Sequence, residues 1–376
     1  MRLNIASFLV MYAAAVHAVQ GKAQKTFAVL RFNNAPGSFS SAGRMDPIVF
    51  PGSDSSHTHG IMGGSNFDLT VTGDQLLHSN CTNAKIKNDK SNYWVSTLWF
   101  RKGGKFKKVP LYYMNVYYFF EATDDEIKAF PPGFKMVSGN ASTRLPPATG
   151  SIQLDPSKGT IQPVQWTCPT KNAVDHYPAG SDGSHAGIQD PSNRQSGAGF
   201  PVVNCDADNS PLRQDIHFPS CYDPSVGTED YANNMVFPTP ISPGSDKVNC
   251  PKGYIHVPHL FYEVYYDTAQ FDSQWIRDGH HQPFVLSNGD NTGFSSHGDF
   301  ISGWDEQTLQ AIIDTCDVGD RSNGPDGNDM EDCPNIPGGL NKDDKCPIKA
   351  QYPDPGDEWV DALPGNNPIS GWMPDQ

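Results

Sequence analysis

The chain has 376 residues, with 27 Lys+Arg against 42 Asp+Glu, a formal net charge of −15, 35 Gly, 32 Pro and 8 Cys. So many prolines exclude a helical bundle, and the acidic balance argues against a nucleic-acid partner, because phosphate binding needs a basic face. The 20 Phe, 14 Tyr and 7 Trp supply a core, which excludes wholesale disorder.

Residues 1–18 read as a secretory signal. Arg2 is the positive end, Ile5 to Val16 is almost wholly apolar, and Val16-His17-Ala18 supplies a small-residue cleavage site. The run is too short to span a membrane, and no later stretch reaches the length of a span. The expectation is a secreted protein, extracellular or in a cell wall. Eight cysteines with no C-x-x-C pair fit four disulfides in an oxidising compartment, with Cys333–Cys346 the local guess. Asn80-Cys-Thr and Asn140-Ala-Ser are glycosylation sequons.

Residues 27–316 read as one β-rich body. Period-two alternation predicts strands at 67–71, 93–101, 111–121, 161–167 and 254–266. Lys102-Gly-Gly-Lys105 predicts a hairpin turn. Helices are expected at two places. Thr123 and Glu126 form a capping box ahead of Phe130, and Asp305 caps a segment placing Leu309, Ile312, Ile313 and Cys316 on one face. Residues 178–200 read as a long loop. The expected fold is mainly β, an antiparallel sandwich or jelly-roll-like body with long disulfide-pinned loops. Residues 317–376 hold 13 acidic and 4 basic residues and read as an acidic extension.

Histidines carry the chemistry. His57 and His59 point the same way from an extended backbone and can converge on one ion or substrate group. Further groupings are Asp215/His217, His256/His259, His280-His281 and His297-Gly-Asp299. Histidine suits both metal ligation and proton transfer near neutral pH. Spacing does not tell which groupings meet. Among carboxylates, Asp46, Glu263, Asp267 and Asp299 lie beside these motifs, and two facing each other would form a glycosidase pair. Tyrosine-rich strands would turn some rings outward, where they suit stacking against sugars. The hairpin cations Arg101, Lys102, Lys105, Lys107 and Lys108 would suit an anionic polysaccharide.

Arg44, Asp46-Pro47, Pro51-Gly52, Ser56-His57, His59 and Gly63-Gly64-Ser65 resemble the secreted fungal family DUF1996. Asp89 to Trp94, Phe218-Pro-Ser-Cys221, Cys250-Pro251 and His297 to Phe300 with Gly303-Trp304 extend the likeness over residues 27–316. The resemblance implies export and a cell-wall setting and assigns no catalytic residue. The functional expectation is a carbohydrate-active protein acting on a fungal or plant wall polysaccharide, as hydrolase or lyase. The alternative is a non-catalytic polysaccharide-binding or structural glycoprotein. The expected catalytic centre is His57, His59, Asp46, His297 and Asp299, with Asp46 orienting a histidine. Arg44, Glu263 and Trp304 are expected to touch substrate, Arg44 by positioning an anionic group. Metal and cofactor stay open; zinc or copper captured by the histidines is a third reading.

Overall fold

The computed structural model describes residues 21–33, 41–275, 282–320, 328–342 and 345–372. The signal segment and His280-His281 lie outside the described residues. Two antiparallel sheets pack face to face. The larger has seven strands in the order Thr26–Asn33, Leu111–Phe120, His259–Tyr266, Arg213–His217, Val164–Thr167, Asn193–Ala198 and Ile188–Asp190. The smaller has five, in the order Ser41–Gly43, His59–Gly63, Asn92–Ser96, His297–Ile301 and Lys135–Gly139. Past Thr97 the chain continues as Leu98–Lys102, the centre of a three-stranded sheet with Lys105–Val109 and Phe284–Leu286.

Alternation decides what lies between the sheets. On the large sheet Tyr118, Tyr262 and Tyr266 point inward and are wholly buried. Each buried hydroxyl needs a partner. Tyr262 donates to the Asp299 carbonyl at 3.0 Å and Tyr266 to the Ser96 carbonyl at 2.8 Å, so the large sheet is pinned to the small sheet's backbone. Tyr93 bonds Tyr118 at 2.6 Å and donates to Asp89 at 2.7 Å; its ring lies 5.3 Å from Phe300. The sheets approach closely at Gly298, because a β-carbon there would lie 3.1 Å from Ile216 and Tyr262. In the hairpin, Gly103 and Gly104 take φ of 57° and 77°, as a tight two-residue connection requires.

The strand expectations at 93–101, 111–121 and 254–266 hold, with breaks at Thr97 and at Val257-Pro258, and that at 161–167 holds only from Val164. Four expectations are corrected. Residues 67–71 form no strand; Phe67 and Val71 plug the outer face of the small sheet, ahead of a helix at Gly73–Leu77 capped by Thr72 and Gln75. The Thr123 helix does not form, because the Thr123 hydroxyl bonds Asn249 and His256, and Ile127 bridges to His256 instead. Tertiary partners there outweigh a local cap. Residues 178–200 contain the edge hairpin Ile188–Asp190/Asn193–Ala198. Finally, Cys333 pairs with Cys316 and Cys346 with Cys81, beside Cys168–Cys205 and Cys221–Cys250. The acidic segment runs along the body rather than folding on itself, so its cysteines meet body cysteines.

The Asp305 helix forms as expected, over Glu306–Thr315, with Asp305 accepting from the Thr308 amide at 2.9 Å. The acidic segment docks by charge and by short bridges. Asp329 pairs with Arg31, Asp354 with Lys108 at 2.9 Å and Asp361 with Lys105 at 3.0 Å. Two cations of the basic hairpin thus face the chain's own acidic segment.

Candidate metal centre

The site forms on the outer face of the small sheet. Thr58 turns the other way, its hydroxyl 2.5 Å from that of Thr97, which leaves His57 and His59 on one side. His59 lies opposite Ser96, and Ser96 bonds His297 on the next strand at 3.2 Å. Three neighbouring strands therefore set His59, Ser96 and His297 in a row, and His57 closes the group from the preceding loop.

The ring centroids of His57 and His59 are 4.3 Å apart, those of His57 and His297 5.1 Å, and those of His59 and His297 5.8 Å. One nitrogen from each lies within 4.8 Å of the others. Residue exposures are 3 %, 0 % and 3 %. Burial, reinforced by the neighbouring histidines for His57 and His59, holds the imidazoles below their ordinary pKa, so all three stay neutral.

The hydrogen bonds assign the protons. His59 Nδ1 meets the Met45 carbonyl at 3.1 Å and His297 Nδ1 the Ser295 carbonyl at 2.8 Å. A carbonyl only accepts, so each Nδ1 carries the hydrogen and each Nε2 presents a lone pair. His59 Nε2 is buried without a partner among the described residues, and His57 Nε2 lies 3.1 Å from His297 Nε2. The Ser56 hydroxyl sits 3.1 Å from His57 Nδ1. Neutral imidazoles such as His59 and His297, braced at Nδ1 by carbonyls and offering Nε2, suit a borderline-soft divalent cation. Nitrogens on one tetrahedral zinc would lie about 3.4 Å apart, close to the 3.1 Å between the Nε2 atoms of His57 and His297.

Asp299 lies on the same face, two residues beyond His297. Both its oxygens are buried without a hydrogen-bond partner among the described residues. Burial, and then Asp46, push its carboxyl well above the usual range, so it keeps its proton. Trp94, cross-strand from Asp299, leaves its indole nitrogen unpartnered as well. Of the four carboxylates singled out in the sequence, Asp46 is the one whose charge acts on Asp299.

Three expected roles are corrected. Asp46 orients no histidine: its Oδ1 accepts from the amides of Ile48 and Val49 at 3.0 Å, while the carbonyl of neighbouring Met45 holds His59. Trp304 cannot touch substrate; it is wholly buried between the sheets and donates to Tyr118 at 2.8 Å. Glu263 lies on the outer face of the other sheet, paired with Arg213 at 2.9 Å. Arg44 sits in the loop beside the site and pairs with Asp54 at 2.6 Å. Sequence reasoning missed Ser96 and the bracing carbonyls of Met45 and Ser295. Only the alternation of Asn92–Ser96 pointed to the first, and a backbone carbonyl leaves no signal in residue identity.

A family model described as a domain of unknown function, DUF1996, matches residues 46–304. The chain belongs to the DUF1996 family. The matched span opens on Asp46 and closes on Trp304, so the histidine trio and Asp299 lie within the DUF1996 domain, and Arg44 and the acidic segment outside it. No curated protein and no solved structure matches this DUF1996 chain. Among its described residues no helix is long and apolar enough to cross a membrane.

Proposed function

We propose that this DUF1996 protein is a secreted metal-dependent enzyme acting on a cell-wall polysaccharide, as a hydrolase or lyase. His57, His59 and His297 hold the cation. The observation that carries the reading is three buried histidines with ring nitrogens within 4.8 Å of one another, His59 Nε2 having no hydrogen-bond partner among the described residues. Three protein ligands leave a coordination position for water, which a bound divalent cation would acidify. Asp299, two residues beyond His297 on the same face, gives a proton to a leaving oxygen in this reading. Four disulfides, exposed sequons at Asn80 and Asn140 and the apolar N-terminal run support export.

Elemental analysis of protein purified without chelator tests the site. The expected result is about one zinc or copper per chain, lost in His59→Ala, with turnover of at least one wall polysaccharide that stops on metal removal. A metal-free native protein would sink the metal reading, and a loaded protein inert on every polysaccharide would sink the enzymatic one.

The burial of the trio favours a second reading, a non-catalytic polysaccharide-binding glycoprotein. Asn367 covers the His57 loop by donating to the Ser56 and Ser287 carbonyls at 2.7 and 2.8 Å. Glycan capture that survives His57→Ala and His59→Ala, without turnover, would select this reading.

A further inference from the structure

Residues 353–372 lie outside the DUF1996 span and run across the loops that surround the trio. The stretch starts at the edge of the small sheet, where Gly43 bridges to Pro353, and passes the basic hairpin, where Phe106 bridges to Val360. Pro364-Gly-Asn366 then makes a tight turn, with φ of 80° at Gly365 and 55° at Asn366. The turn allows a close seat. A β-carbon at Gly365 would strike the Ser56 carbonyl, and one at Gly289 would strike the Pro368 carbonyl. Glycine at these two positions lets the backbones meet where a side chain would hold them apart.

From that seat the stretch grips two loops that support metal ligands. The Asn367 side-chain amide donates to the Ser56 carbonyl at 2.7 Å and to the Ser287 carbonyl at 2.8 Å. Ser56 precedes His57, and Ser287 is fixed in turn by donating to the Thr58 and Thr97 carbonyls. Further on, the Ser370 amide donates to the Gly289 carbonyl at 2.8 Å, and the Ser370 carbonyl accepts from the Asn291 amide at 3.2 Å. Between Gly289 and Asn291 lies Asp290, wholly buried, whose Oδ2 accepts from the Ser295 amide at 2.9 Å and the Ser295 hydroxyl at 2.8 Å. The Ser295 carbonyl is the brace of His297. Arg144 joins the group, donating to the Ser370 hydroxyl at 2.9 Å and to the Asn288 carbonyl at 3.0 Å.

The trio is closed to solvent, so an ion enters or leaves it only when part of the wall moves. His59 and His297 stand on strands paired on both sides, which resist opening. The stretch 353–372 is held differently. Of its residues Leu363 alone is buried, among Trp99, Phe106 and Val285, and the nearest disulfide, Cys81–Cys346, lies upstream. A segment with few buried apolar contacts and an exposed backbone opens locally at low free energy. We propose that residues 353–372 are a releasable strap: Asn367 and Ser370 hold the loops behind His57 and His297, and a bound cation exchanges through release of the strap. Asn367 is a positioning residue that acts on His57 through Ser56. The cation rests on the metal reading; the grip on the two loops does not.

Release of zinc from the zinc-loaded full chain to an excess of colorimetric chelator tests the strap. Asn367→Ala and Leu363→Ala, which loosen it at different points, should each speed release about tenfold or more. Lys171→Ala, at an exposed ion pair with Asp208, is the control and should leave release unchanged. Hydrogen exchange of the native chain supplies a readout that needs no variant: amides of residues 360–370 should exchange about a hundredfold faster than those of Asn92–Ser96. Carbethoxylation of His57 in metal-free protein, followed by peptide mass, should also quicken in Asn367→Ala. A native protein that binds no zinc fails the metal reading alone, and the strap then stands or falls on His57 reactivity. Unchanged His57 reactivity in Asn367→Ala, unchanged zinc release from a loaded chain, or strap amides as slow as those of the strand would each overturn the proposal.

Discussion

Asp299 is a carboxylic acid that the fold buries with no hydrogen-bond partner among the described residues, and its raised pKa fixes the sign of a pH effect. A carboxyl held above its unfolded value favours the folded state while protonated. The unfolded chain releases that proton from about pH 3.9 upward while the native state keeps it. Stability contributed by the protonated form is therefore fully present below pH ~4 and declines as pH rises toward the elevated native pKa. Asp299→Asn should flatten this decline in metal-free protein, so the variant gains on the native chain between pH 4 and 7 by urea melts. A stability difference independent of pH would show that Asp299 ionises normally. The histidines of the trio run the other way. Their native pKa values are depressed, so protonation of the unfolded chain below pH ~6.5 favours unfolding, and measuring Asp299→Asn by difference keeps the two effects apart.

Individual elements show where local signals prevailed. Asp305 capped its helix as its sequence pattern requires, whereas Thr123 lost its helix to His256 and Asn249. The difference is burial: Asp305 caps a helix whose apolar face already enters the core, and Thr123 stands beside a buried imidazole that needs a partner. The Leu98–Lys102/Lys105–Val109 hairpin is a second case. Its cations suggested a polysaccharide, yet Lys108 and Lys105 meet Asp354 and Asp361. Lys108 and Asp354 are largely shielded, with side chains 18 % and 6 % exposed, whereas Lys105 and Asp361 are open to solvent. Lys108→Ala should therefore cost about 1–3 kcal/mol, as loss of a shielded charged hydrogen bond does. Lys105→Ala should stay within about 0.5 kcal/mol. Equal shifts in denaturant midpoint for the two would contradict this account of how the acidic segment docks.

The whole molecule depends on how closely the two sheets meet. At Gly298 a methyl group would press on Ile216 and Tyr262 and push apart the contacts that hold Tyr262 on the Asp299 carbonyl. Gly298→Ala should destabilise by about 1–3 kcal/mol, read as a lower melting temperature, and should weaken metal retention, because the same strand carries His297. Unchanged stability and metal content would mean that the sheets tolerate wider spacing. Much of this architecture was legible in the chain itself. Aromatic period-two runs, a Gly-Gly hairpin, eight cysteines and a capped late helix predicted a disulfide-braced β body, because each signal acts between residues a few positions apart. The His57/His59 pair was legible for the same reason, since two residues on an extended strand share a face. The partner for that pair was not. His297 stands 240 positions from His57, and only the antiparallel register of three strands sets it beside Ser96 and opposite the pair. The same holds for Trp304, whose burial no local pattern disclosed. Side-chain direction follows from backbone period and can be read along the chain; which faces meet depends on strand order and disulfide pairing, and those only the folded molecule decides.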